Sequence, residues 1–442
     1  MRQPLLFDVR AFPKMCLGEE SRRLEEKYAS RMREELRLGN LVSYVGNRDV
    51  PLLRLYRYKE AFAFGFVEEW LDRLGAGPED YVFDPFCGMG TTLLAASLRG
   101  ISAVGVDRLP VAAFIAQTLP LFFQIRPGEI LETFARLTQI APRMQPARVA
   151  MDVAIMRVAF PEETLDYLRR WKAAIDTLEF PYREVFLLLF FSILEPCSYT
   201  SKDGQFLRLR RTKKTANPEE ALAGRVLEAE KDLQRIRELG WKAPAGDSWT
   251  VVLGDTRYLD DVPFQRAPTV LITSPPYANR YDYTRTYSLE LCFHFVRNFD
   301  ELRSLRHSLL RSHIEARLAP TEVPPHPAVG EMVEILRARR QKLNNPKIPD
   351  MLTAYFVDMQ QAIREWRRVL SPGARVALVV DNVRFEGYLL PVDLILSEIA
   401  EREGFRTEEI VVARYKGNSS QQMGRFGRVP VRESIVVWRK PV

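Results

Sequence analysis

Phe83-Asp-Pro-Phe-Cys-Gly-Met-Gly-Thr-Thr92 is the stretch whose reading decides the fold. It completes a short β-rich run, YVFDPF from Tyr81, and opens into the helical TTLLAASL. Ile101 to Asp107, ISAVGVD, then reads as a second strand. Strand, glycine turn, helix, strand is the opening of a parallel α/β sheet. Gly88 and Gly90 would let backbone N–H groups approach a ligand beside the positive end of a helix. Glycines alone equally mark an ordinary tight turn. The spacing is neither the Walker pattern nor the full GxGxxG of dinucleotide enzymes. Asp107, at the next strand tip, can bind ribose hydroxyls or simply cap a helix.

On the N-terminal side, Phe64 to Leu74 carries apolar residues at helical spacing and stops at Gly75-Ala-Gly-Pro78. On the other side the pattern changes. From about 110 to 241 the chain reads as mostly helical, with almost no β alternation. Two of these helices open with Pro and acidic residues at Pro161 and Pro218. Strand character resumes at Trp249 to Asp255 and at Thr269 to Tyr277. A second helical stretch follows over 287–343, broken near Pro324-Pro325-His326-Pro327. The C-terminal third alternates again: helix 353–370, strand ARVALVV, helix 391–403, strands IVVARY and SIVVWRK. This predicts a doubly wound, Rossmann-like α/β sheet built from 51–110 and 246–442, with a helical subregion at about 287–350. An N-terminal extension, 1–50, precedes it, and 111–245 is a large helical insertion.

Composition agrees with a full-cored globular protein: 442 residues, 46% hydrophobic and 27% charged. Disordered, collagenous and disulfide-stapled classes are excluded. Lys and Arg total 64 against 57 acids, a formal charge of +7 that permits a nucleic-acid partner without requiring one. The four cysteines lack C-x-x-C spacing and the four histidines lack a ligand rhythm, so no metal is expected. The N-terminal apolar stretch is too short for a signal peptide. The longest apolar run, Val185 to Leu194, falls well below the roughly 20 residues that span a bilayer. A buried helix and a cytoplasmic protein are expected.

Two further strand ends complete the pattern: Leu253-Gly-Asp255 and Thr273-Ser-Pro-Pro-Tyr277. Consecutive prolines cannot continue a sheet, so the chain is held rigid just past the strand's carboxyl end, where open α/β sheets bind ligands. FDPFCGMGTT followed by TSPPY resembles the S-adenosylmethionine-dependent DNA amino-methyltransferases, which methylate N4 of cytosine or N6 of adenine. The preceding YRYKEAFAFGFVEEWL (Tyr56 to Leu71) resembles that family's cofactor-side motif. SPPYANRYDYTRTYSLEL and SYTSKDGQFLRL resemble a subgroup of site-specific DNA methylases. The likeness covers the sheet blocks more strongly than the insertion.

The resemblance implies that Asp84, Gly88 and Gly90, with Pro85 and Thr91 in the same turn, hold the methionine end of S-adenosylmethionine, while Phe86 packs against the cofactor. It assigns Asp107 to the ribose and Asp255 to the adenine amine. Ser274 and the Pro275 carbonyl would accept the two amine hydrogens, with Pro276 stiffening the turn and Tyr277 stacking on the base. Accepting both hydrogens favours the pyramidal amine that in-line attack on a sulfonium methyl requires, so positioning matters more than a strong base. The base must leave the helical stack to reach the cofactor, and Tyr281, Tyr283 and Tyr287 are further candidates for its pocket, or for core or surface roles. Serine rather than aspartate before Pro-Pro-Tyr leans toward N4-cytosine in that family, with N6-adenine the alternative.

Duplex DNA as partner calls for positive charge. Lys202, Arg208, Arg210, Arg211, Lys213 and Lys214 stand against one acid, Asp203, and suit phosphate contacts, or a solvated charge run. Arg425, Arg428 and Arg432 form a second group. Arg337, Arg339, Arg340 and Lys342 form a third, which reads as a solvated helix face. A carbon-5 mechanism would need a cysteine nucleophile, but Pro196-Cys197 follows a greasy helix rather than a strand tip, and a buried structural thiol is expected. RNA methylation and a non-catalytic DNA-binding subunit stay open as alternatives, as does pairing with a restriction endonuclease. Target sequence, the role of the insertion and oligomeric state are not legible.

Overall fold

The computed structural model describes residues 16–203, 206–319, 321–416 and 429–442. Its centre is an eight-stranded sheet. In chain order the strands are β1 (Met32–Glu34), β2 (Tyr81–Asp84), β3 (Ser102–Asp107), β4 (Trp249–Leu253), β5 (Val270–Thr273), β6 (Arg375–Asp381), β7 (Arg406–Lys416) and β8 (Val431–Arg439). Across the sheet they lie as β1-β7-β8-β6-β5-β2-β3-β4. The pairs β4–β3, β3–β2, β2–β5 and β5–β6 are parallel, whereas β8 runs antiparallel between β6 and β7. The strands that follow β2 step outward on one side, and β5 and β6 step outward on the other. The carboxyl ends of β2 and β5 therefore diverge, opening a crevice at the point where the strand order reverses. All four residues of β2 and all four of β5 are buried, as strands covered by helices on both faces must be.

Helices Phe64–Arg73 and Thr91–Leu98 cover one face, where Phe66, Trp70, Leu93 and Ala96 join Val82, Ile272 and Val379 in a core cluster. Helices Pro327–Ala338, Ile348–Val369 and Val392–Arg402 cover the other, through Met332, Tyr355, Trp366 and Leu396. Gly75 ends the first helix in the left-handed region at φ 62°, as the Gly-Ala-Gly-Pro stop predicted.

Three features of the packing go beyond the sequence reading. Within the expected extension, the described residues from 16 onward pack onto the sheet. Met32, Arg33 and Glu34 pair with Ile410, Val411 and Val412 as the sheet's edge strand, and Leu24 and Tyr28 lie in the main core. The insertion packs into a core that it shares with segments on both sides of it. Its helix Tyr182–Leu194, apolar on all sides and buried as expected, shares one core with Leu52, Leu55, Tyr56 and Tyr58 before the sheet and with Tyr287, Leu291 and Phe293 after the proline motif. Asp232 of the insertion accepts from the backbone N–H of Leu52 at 2.7 Å and pairs with Arg54 at 2.5 Å, clamping the chain that leads to Tyr56.

The third feature is a hairpin, Thr200–Asp203 against Phe206–Leu209, within the stretch read as helical. Its alternation is hidden because the inward residues of the first strand, Thr200 and Lys202, are both polar. Lys202 is 3% exposed and its ammonium lies 2.5 Å from the Glu290 carboxylate and 3.1 Å from the Tyr56 hydroxyl. It also sits 4.4 Å above the Tyr287 ring centroid. Lys202 is therefore not a phosphate contact. Removing one partner of a buried ion pair strands the other, which typically costs about 3–5 kcal/mol. Lys202→Ala is accordingly expected to lower unfolding stability by about that amount in denaturant titration, an effect visible without any DNA.

Candidate active site

A cavity of about 370 Å³ fills the crevice between the ends of β2 and β5. One wall is the glycine turn. Gly88 holds φ 51°, and a Cβ there would meet the Tyr58 ring at 3.0 Å, so only glycine lets the turn lie this close to the aromatic wall. The Gly88 N–H donates to Asp107 Oδ2 at 2.9 Å and the Leu109 N–H donates to Oδ1 at 2.8 Å. Burial nevertheless raises the Asp107 carboxyl to about 6. Each of its oxygens keeps a lone pair for an incoming hydroxyl.

Thr91 opens helix Thr91–Leu98, whose N-terminus has no side-chain cap, and its Oγ1 is buried without a hydrogen-bond partner. An orphaned hydroxyl, a free helix start and a partly satisfied acid on one wall suit a polar ligand carrying hydroxyl donors and an anionic end. The residues present thus fit S-adenosylmethionine, with Thr91 and Asp107 as holding groups and Phe86, edge-on to Trp366 at 6.1 Å, as an apolar backing.

Not every expected ligand stands in this wall. Pro85 and Gly90 lie behind it. Gly90, at φ 88°, is required for packing, since a Cβ would meet that of Ala116 at 3.0 Å. Asp84 is 1% exposed, and its oxygens already accept from Thr92 Oγ1 at 2.5 Å, Thr273 Oγ1 at 2.6 Å and the Phe86 N–H at 3.2 Å. Burial lifts its carboxyl to about 6 as well. It lines the cavity while tying the turn together. Asp255 lies outside the cavity lining. Arg257 grips its carboxylate at 2.6 Å and bridges to Asp358 at 2.8 Å.

The opposite wall is Ser274, Pro275, Pro276 and Tyr277, brought together as expected. Ser274 Oγ donates to the Tyr277 hydroxyl at 3.4 Å, and that hydroxyl donates to Glu433 Oε1 at 2.8 Å. Glu433 is 1% exposed and pairs with Arg414, which stands opposite it in the β7–β8 ladder, and with Lys416 at 3.3 Å. The ladder slips by one residue between Val412 and Arg414, a bulge that aims Arg414 and Lys416 at the cavity.

The third side is aromatic. Tyr281 and Tyr283 meet edge-to-face at 4.9 Å, and Tyr58 stacks on Tyr287 at 5.1 Å. Glu60 accepts from both Tyr281 and Tyr287 hydroxyls. Tyr281 and Tyr283 therefore line the pocket, whereas Tyr287 supports it from the core.

Of the basic run, Arg208, Arg210, Arg211 and Lys214 are exposed. Lys213 is turned inward like Lys202, and its ammonium donates to the carbonyls of Glu195 at 2.6 Å and Thr200 at 2.7 Å. Arg432 is also internal, paired with Asp393 at 2.7 Å and Glu25 at 2.8 Å, while Arg425 and Arg428 lie outside the described residues. Cys197 is fully buried, and burial pushes its thiol up to about 12, which suits packing rather than attack.

Sequence reasoning missed Glu60, Arg414, Lys416 and Glu433. The signal for the last three was available in part: charged residues at one end of two otherwise apolar strands, IVVARYK and RESIVVW. What was not readable is that β8 runs backwards, which brings its beginning to the crevice.

No family model matches the chain. Relatives do. The type II methyltransferase M.BsoBI of Geobacillus stearothermophilus is 32% identical over 474 aligned positions, covering 96% of this chain and 92% of that protein. The type II methyltransferase M.AvaI of Nostoc sp. is 33% identical over 452 positions, covering 95% and 92%.

A ligand hydroxyl that donates to Asp107 favours its ionised form, so binding must lower a carboxyl that burial has raised. Cofactor affinity measured by calorimetry is therefore expected to be full above about pH 6 and to weaken as pH falls through that value. Asp107→Asn should bind weakly with a flat profile. Asp84 titrates in the same range but has spent its acceptors internally, so a flat profile in that variant assigns the dependence to Asp107.

Proposed function

This chain belongs to the type II methyltransferases, and on that premise we propose that it methylates the N4 amine of cytosine at a specific sequence in duplex DNA, after turning that base out of the helix. One observation carries the reading: the Ser274–Tyr277 edge and the Asp107–Thr91 wall face a single crevice whose remaining side is aromatic.

S-adenosylmethionine, its cofactor, supplies an electrophilic methyl on a sulfonium when bound. The chain's own residues then have separable tasks. Thr91, Asp107 and Phe86 hold and orient the cofactor. Ser274 and the Pro275 carbonyl accept the amine hydrogens, and Tyr277 packs against the base. Tyr281, Tyr283 and Tyr58 wall the pocket and exclude water. The target amine needs no strong base. It needs its lone pair freed from the ring and pointed along the line of attack.

Arg208, Arg211 and Lys214, exposed around the hairpin, supply phosphate contacts in this reading. Serine at 274 favours cytosine over adenine on the resemblance described above.

Mass spectrometry of nucleosides from duplex DNA incubated with enzyme and cofactor should yield N4-methylcytosine. N6-methyladenine would overturn the choice of base while leaving the site intact. Ser274→Ala and Tyr277→Ala should each lower turnover at least about tenfold with cofactor binding near normal, since they act on the amine rather than on the glycine wall. Replacing Arg208 and Arg211 by alanine should weaken DNA binding and reduce the slope of log affinity against log salt by about one for each phosphate no longer neutralised. Lys213→Ala should instead lower stability.

A further inference from the structure

We propose that Glu433 is a positioning residue that fixes the hydrogen-bond polarity of the catalytic edge, so that Ser274 presents lone pairs, and not its proton, to the target amine. This inference rests on the function proposed above and extends it to a strand on the far side of β6.

The logic runs from the acid outward. Glu433 is buried and ion-paired with Arg414 and Lys416, so its carboxylate can only accept. The Tyr277 hydroxyl, 2.8 Å from Oε1, must donate to it. A phenol has a single proton, so toward Ser274 its oxygen can only accept. The Ser274 hydroxyl, 3.4 Å away, spends its proton there and leaves its lone pairs for the cavity that it lines. An acceptor-only end therefore sets the direction of every bond in the chain Ser274, Tyr277, Glu433.

An exocyclic amine offers two donors and needs acceptors. A serine free to rotate would present its proton for part of the time, and that orientation opposes the amine. Lys416, 5.4 Å from the Tyr277 ring centroid, and Arg414 hold the acid where the chain needs it. No contact between Glu433 and the substrate is required.

Glu433→Gln tests the idea, because an amide can donate to Tyr277 and reverse the chain. Wild-type turnover on duplex DNA is the reference. Its absence would dismiss the proposed function without bearing on Glu433. Given that turnover, E433Q is expected to lower kcat about tenfold or more while leaving KM for DNA and affinity for S-adenosylmethionine unchanged. Tyr277→Phe keeps the ring but cuts the chain, so E433Q added to Tyr277→Phe should cost nothing further. A purely structural role would make the two losses additive and would lower the melting temperature of both E433Q proteins equally. Additive losses, or wild-type kcat in E433Q, overturn the proposal. Should E433Q fail to fold, Tyr277→Phe combined with Ser274→Ala gives the second cycle. Losses that do not add there support the ordered chain, and additive ones refute it.

Discussion

Two threonine hydroxyls donate to the carboxylate of Asp84, and the rest of the site depends on that arrangement. Thr92 belongs to the helix that follows the glycine turn, and Thr273 is the residue immediately before the catalytic edge. The two arms of the crevice leave the sheet on neighbouring strands and diverge. Asp84 bonds to both, in a setting dry enough to lift its carboxyl to about 6. The separation of the glycine turn from the Ser274–Tyr277 edge is thereby tied to one buried group, and in the function proposed above in-line transfer tolerates little error in that separation.

Much of this was legible before any coordinates. The strand, glycine turn, helix and strand at 81–107 have one common solution, and Thr273 to Tyr277 could lie only at a strand's carboxyl end. Central strands carry apolar runs such as VLI and ALVV that announce burial on both faces. The site's second layer was hidden for a physical reason. Lys202 and Arg432 look like solvent-facing charges in any count of basic residues, yet each is buried, because a carboxylate awaits it from a distant segment. Sequence spacing carries no record of such partners. Asp84 and Asp255 are the converse case. Their place in the motif is legible, but the groups that already occupy their oxygens are not.

The antiparallel strand β8 has a role beyond closing the sheet. Parallel strands point only their carboxyl ends at the crevice. Reversing one strand allows its first residues, Arg432, Glu433 and Ser434, to arrive at the same edge with residues from the end of β6 and β7. The fold thus gathers acids and bases beside Tyr277 that purely parallel order would send to the opposite side of the molecule.

The shared core of the insertion bears on how such an enzyme can diversify. A recognition module joined by two linkers could be exchanged whole, like a cassette. Here the helices of 111–245 bury their apolar faces against Leu52 to Tyr58 and against Tyr287 to Phe293, and their hairpin supplies the cation for Glu290. Recombination at the two ends of the insertion would open the core in two places and leave a buried acid without its counter-ion. The heritable unit is three segments remote in sequence. Change in this chain would therefore proceed one exposed position at a time, because exchanging the insertion as a whole breaks the core that holds it.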